Sequence, residues 1–229
     1  MTTRLLDRLP ATLRGKVAYG RGTVAATAPR WELADLAGRL VELSGQGDSA
    51  ALTLAVGLVA AAHRQGENVA WVCATDPPFP PDAAAAGVDL AALPVIQLPP
   101  PRRGATRTPR RRRATPSEVG VAAARAALHL LRAGCFMLVV LDLSTAALPP
   151  AAPPLLARLA ARHATALLCL THKGEEAPSL SPLVSLRLHT RRGDPEGGRF
   201  PCHLTALRDR LHGPGWHHVE PCRGPAGLC

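Results

Sequence analysis

The sequence predicts an α/β fold: a mostly parallel sheet flanked by helices, with antiparallel hairpins added at the C-terminal end. Three observations lead there. Short apolar runs alternate with longer helical patterns from residue 40 to residue 171, the order that builds parallel strand–helix–strand units. The run Phe136–Leu143 is apolar except for Asp142, as in a strand covered on both faces. Beyond residue 183 the runs are separated by Gly/Pro turns (Gly193 to Gly198; Gly213-Pro214-Gly215), which suits hairpins.

The elements follow in order. Residues 3–9 read as a short helix ending before Pro10, and residues 10–30 as linker. A second short helix covers 31–38, closed by Gly38, and a strand covers Leu40–Ser44. A small-residue loop leads into a long apolar helix from Ser49 to Gln65, stopped at Gly66, a residue suited to the left-handed helix cap. Val69–Ala74 is the next strand. Residues 75–82 hold four prolines and are expected to lack regular structure, with one helical turn at Ala83–Ala86 and a short strand at Val95–Leu98. Thr115-Pro116-Ser117-Glu118 is a capping box with proline at the first helical position, opening a helix to Ala133. After a proline turn at 149–154 come a helix over 155–163, a strand over 165–171, and strands near 183–190, 200–208 and 216–220. The predicted organisation is an N-terminal helix and linker (1–30, a candidate oligomerisation arm), a core (31–220) with an Arg/Pro-rich insertion at 99–115 expected to be disordered, and a flexible tail (221–229).

Composition narrows the partners. The chain has 229 residues, 47% apolar but only 3% aromatic, so its core must be built from Ala, Leu and Val. The net charge of +10 is largely local: without Arg102, Arg103, Arg107, Arg110, Arg111, Arg112 and Arg113 it falls to +3. A run of this kind suits nucleic acid or an acidic partner surface; it also suits a merely solvated loop. Neither a secretory leader nor a membrane span is legible, since the longest apolar run, Ala50–Ala62, is too short. The expected compartment is the cytoplasm, with the six cysteines mostly reduced. Cys202, Cys222 and Cys229 lie near His203, His212, His217 and His218, but no zinc-ligand spacing occurs, and no metal is expected.

The loop after the first strand carries the chemical argument. A phosphate-binding loop feeds a strand through a Gly-rich turn into a helix N-terminus, with a Lys for charge and a Ser/Thr hydroxyl for Mg²⁺ in the pattern G-x-x-x-x-G-K-[ST]. This chain reads Gly45-Gln46-Gly47-Asp48-Ser49-Ala50-Ala51-Leu52. The second glycine is Ala50, the lysine Ala51 and the hydroxyl Leu52; Thr53 is one residue late, about 100° around the helix. Asp48 adds negative charge where phosphates would sit. The expectation is no nucleotide cofactor and no hydrolysis, with Gly45, Gly47, Ser49, Ala51 and Leu52 as the remnant of the motif.

The order of segments resembles the RecA recombinase core. Arg39–Gly45 looks like the strand entering that family's phosphate loop, and Asn68–Val72 like its second strand. Ala86-Gly87-Val88-Asp89-Leu90 with Pro94–Gln97 resembles the Gly-Val-Asp segment and following strand. Leu138–Leu148 looks like the Walker B strand with Asp142 at the acidic position, Thr165–Leu170 like the next core strand, and Leu183–Leu188 like the strand that begins the C-terminal hairpins. The resemblance is collinear over about 36–220. The family's water-activating Glu is matched by Thr75, or Asp76 beside it, and its two DNA-binding loops are short here. The pattern is most similar to shortened, catalytically degenerate ImuA-type accessory proteins of bacterial mutagenesis cassettes, which are related to the SulA division inhibitors.

The resemblance implies a non-enzymatic accessory in SOS-linked translesion synthesis, whose partners are RecA, the cassette polymerase proteins, or both. An apolar stripe of Leu5, Leu6, Leu9 and Leu13 would dock on a neighbouring RecA-like core or pack on its own domain, and the arginines of 102–113 would contact DNA phosphates without reading sequence. The other readings are a divergent NTPase using Asp142 with Lys173, a stand-alone DNA-binding module, and a SulA-like division inhibitor.

Overall fold

The structure, a computed structural model, describes residues 31–74, 77–98, 116–195 and 199–223. Its strands are β1 (Leu40–Gly45), β2 (Val69–Cys73), β3 (Val95–Gln97), β4 (Leu138–Ser144), β5 (Ala166–His172), β6 (Leu186–Arg192), β7 (Arg199–Asp209) and β8 (His217–Arg223). Its helices are α1 (Leu33–Leu36), α2 (Ala51–Arg64), α3 (Pro80–Ala85), α4 (Pro116–Ala133) and α5 (Ala152–His163). The strands form one eight-stranded sheet in the order β3-β2-β4-β5-β1-β6-β7-β8. Neighbours from β3 to β6 run parallel; β7 and β8 are antiparallel additions.

Alternation along the strands sorts side chains onto two buried faces. Val41, Leu43, Trp71, Val140, Leu168 and Leu188 pack with α1 and α2 on one. Leu40, Val72, Val139, Leu141 and Leu167 pack with α4 and α5 on the other. With so few aromatics, close approach replaces bulk. At Gly120 in α4, an added Cβ would lie 1.8 Å from the Ala147 carbonyl oxygen, so the helix rides directly on the segment after β4.

Two proline clusters correct the sequence reading. Residues 75–82 and 149–154 are expected there as irregular, yet α3 begins at Pro80 and α5 at Ala152, followed by Pro153 and Pro154. The first-turn N–H groups of a helix have no intrahelical acceptor, so proline costs nothing there and presets the required φ. At the other end, β8 carries its ladder to Arg223, past residue 220 where the sequence reading starts a flexible tail; Pro221 faces Pro201 of β7.

β1 is the pivot of the topology. Its onward chain passes through α2 to β2, beyond β5 and β4 in the sheet, whereas the chain leaving β5 crosses to β6 on the far side of β1. In an open α/β sheet, ligand crevices form beyond the strand C-termini where connections diverge in this way.

Candidate functional site: the C-terminal edge of β1, β4 and β5

Gly45, Gly47, Ser49, Ala51 and Leu52 all lie at the joint between β1 and α2. Gly47 holds φ at 63°, a left-handed conformation that its lack of a Cβ permits, and Ser49 N–H donates to the Gly47 carbonyl at 2.8 Å. The turn folds inward. Ser49 Oγ accepts the Ala51 N–H at 3.2 Å, lies 3.3 Å from Thr190 Oγ1 of β6, and would sit only 2.1 Å from a Cβ placed on Gly45. Thr190 Oγ1 in turn donates to the Ser44 carbonyl, and Arg192 N–H donates to the Asp48 carbonyl at 2.7 Å. The space over the end of β1 is thus filled by the loop's own serine. Ala51 is buried, and Leu52 is 47% exposed on the first turn of α2.

Asp142 lies near the end of β4, half-buried, where the ladder to β5 is irregular and Ser144 adopts φ 53°. Burial pushes its carboxyl up from the usual range, and the Ser144 N–H donating to Oδ1 at 3.3 Å opposes the shift only in part. Asp142 and the β1 loop share one sheet edge with β5 between them.

A charged cluster that sequence reasoning missed lies below this edge. Glu42 of β1 is fully buried. Its Oε1 accepts the Thr171 hydroxyl at 3.2 Å and pairs with Lys173 Nζ at 2.5 Å. Its Oε2 accepts Ser179 Oγ at 2.8 Å and Leu180 N–H at 2.9 Å, with Arg187 Nε at 3.9 Å. Lys173 also donates to the Pro178 carbonyl at 2.6 Å. One carboxylate therefore ties the segment between β5 and β6 onto the sheet. Burial, and next the Glu42 charge, push the neighbouring Cys169 thiol well up. The signal was present as a lone acid inside the otherwise apolar run Leu40–Leu43. The Lys173 ammonium is thus engaged by both Glu42 and the Pro178 carbonyl.

A second buried carboxylate works at the opposite end of β1. Asp209 meets Arg39 at 2.6 Å, His212 Nδ1 at 3.0 Å, Trp216 Nε1 at 3.0 Å and the Leu211 N–H at 2.9 Å. Burial opposes its ionisation, but these four donors outweigh it and hold the carboxyl down at about 2.

The cysteines and histidines of the hairpins separate into distinct places. The Cys202 and Cys222 thiols meet across β7 and β8; hydrogen bonding from Cys222 lowers Cys202 and raises its partner. Among the described residues no group of three or more His, Cys, Asp or Glu is placed to hold a metal ion. Likewise, no described helix is long and apolar enough to cross a membrane. Leu5, Leu6, Leu9 and Leu13, the arginines of 102–113, and Thr75 and Asp76 lie outside the described residues. Against family models and curated proteins alike, the chain finds no match.

Proposed function

We propose that this chain is a RecA-like domain that has kept the scaffold of a phosphate-binding loop without its chemistry. It would act by binding protein partners in bacterial SOS-linked translesion synthesis, namely RecA, the polymerase proteins of a mutagenesis cassette, or both. The observation that carries this reading is the β1–α2 joint. Ala51 and Leu52 stand where a lysine and a metal-binding hydroxyl are needed, and Ser49 occupies the space over Gly45 while capping a helix N–H that a phosphate would otherwise take.

Two further observations support the RecA-like part. The strand-like segments that carry the resemblance coincide with strands of the sheet in chain order: 39–45 with β1, 68–72 with β2, 94–97 with β3, 138–144 with β4 and 165–170 with β5, while 183–188 reaches into β6 from Leu186. Asp142 stands near the C-terminal end of β4, on the same sheet edge as the β1–α2 joint, which suits the acidic position of the resemblance.

The test is a pull-down of the full chain against purified RecA and the cassette polymerase proteins, with an ATP turnover assay in parallel. Stable capture of at least one partner without Mg-ATP hydrolysis is the expected result. Turnover that disappears in Asp142→Asn would overturn it, as would failure to bind every one of these partners.

A further inference from the structure

Strands β6, β7 and β8 carry a feature that the degenerate loop does not explain. Register places His189, Thr205 and His217 in one cross-strand row, and Arg191, His203 and Val219 in the next. Arg199 and Arg223 face each other at the far end of the same sheet face. No carboxylate of the three strands shares that face; Asp209 and Glu220 point to the other. Arg191, Arg199, His217 and Arg223 are exposed. Among the described residues, no carboxylate pairs with any of the three arginines.

Between the first two rows lies a hollow of about 170 Å³, lined by His189, Arg191, His203, Thr205 and His217. His189 Nδ1 is buried there without a hydrogen-bond partner. Beyond it, Arg199 opposite Arg223 is a like-charge pair that costs the hairpin stability unless an anion lies between them. From Thr205 to Arg199 the cationic face extends about 20 Å along β7. A single phosphate would engage only the hollow; a polyanion with regularly spaced charges engages the full length.

We infer that this face of β6–β8 is a binding surface for the phosphodiester backbone of nucleic acid. No Trp, Tyr or Phe of the three strands lies on it: Phe200 is on the opposite face, under Arg192. Base stacking therefore contributes little, and binding draws on phosphate neutralisation, with steep salt dependence and no sequence preference. The inference stands on the charge arrangement alone and does not require the RecA-like reading.

The test uses the full chain and a fluorescein-labelled oligonucleotide of about 20 residues, single-stranded and duplex, followed by anisotropy from about 50 to about 200 mM salt. The triple variant Arg191→Gln, Arg199→Gln, Arg223→Gln is made twice, in the natural sequence and in a chain with the seven arginines of 102–113 changed to Gln. The chain with the neutralised 102–113 run is expected to keep salt-dependent binding. Adding the triple change should weaken that binding by about tenfold or more and flatten the salt slope by about 2 to 3. Its thermal midpoint should be unchanged or higher, since the opposed arginines are gone. Loss of all binding on neutralising 102–113 alone would overturn the inference. So would a triple variant with unaltered affinity and slope, or competition by polyglutamate equal, charge for charge, to that by the unlabelled oligonucleotide.

Discussion

Ser49 and Thr190 meet hydroxyl to hydroxyl at 3.3 Å across the C-terminal end of β1, closing the β1–α2 turn onto β6. The contact depends on Gly45 having no side chain. A Cβ there would lie 2.1 Å from Ser49 Oγ, 2.7 Å from Ser49 Cβ and 2.8 Å from Thr190 Oγ1. Gly45→Ala is expected to cost about 1–3 kcal/mol in urea unfolding, as overpacking does. Adding Ser49→Gly should recover part of that loss. If the two changes prove additive, the side chains do not compete for one space.

Glu42 is the second point of vulnerability. Glu42→Ala leaves Lys173 and Arg187 without their shared counter-charge and frees the Ser179 and Leu180 donors. The expected loss is about 3–5 kcal/mol, the range for breaking one side of a buried ion pair. The segment between β5 and β6 should become the first site of proteolytic cleavage. Replacing Glu42 and Lys173 together, Glu42→Leu with Lys173→Met, should be milder than Glu42→Ala, because the ammonium goes with its carboxylate and only Arg187, which keeps its bonds to the Gly174 and Glu175 carbonyls, loses a counter-charge. Equal losses would show that the pair matters only as volume.

Asp209 makes stability depend on acid. Its carboxyl is held at about 2 in the folded chain, below the ordinary value of 3.8. Between these values the unfolded chain binds more protons, so stability falls as pH falls. The contribution, about 2 kcal/mol, is complete above the ordinary value and gone below about 2. Asp209→Asn should therefore be less stable than the natural chain at pH 7, with the gap closing through this acid window. A gap that stays constant across it would show that the carboxylate charge is not what stabilises.

Asp142 should behave in the opposite sense. Burial raises its pKa, so keeping it ionised at neutral pH works against the fold. Asp142→Asn retains an oxygen for the Ser144 N–H and removes the charge. The variant is expected to unfold at higher urea than the natural chain at pH 7, an advantage that fades as the pH drops and the natural carboxyl takes up its proton. A destabilised Asn variant would show that the charge has a partner.

The strands of this protein were legible because burial on both faces leaves a distinctive record, as at Leu138–Leu143. The glycine turn at 45–47 was legible because its spacing to α2 is fixed by the geometry of the joint. Helix starts at Pro80 and Ala152 were not, since proline signals both a break and a first turn, and only the following residues separate the two. Glu42 was passed over for a different reason. Its partners lie 129 to 145 residues away in the chain, at Thr171 and Arg187, and neither periodicity nor local spacing records pairings made through the sheet. The cationic face of β6–β8 was hidden likewise, because histidines and arginines scattered through three strands form rows only once the register is known.

Pro221, set opposite Pro201 near the end of the outermost strand, bears on how the molecule meets others. An edge strand ordinarily offers a continuous line of backbone donors and acceptors, an invitation for another chain to extend the sheet. A proline in that line supplies no N–H, so the border at β8 is interrupted there and makes a poor template for strand addition. Association on this flank is left to side chains, where charge and shape select the partner and main-chain stickiness does not.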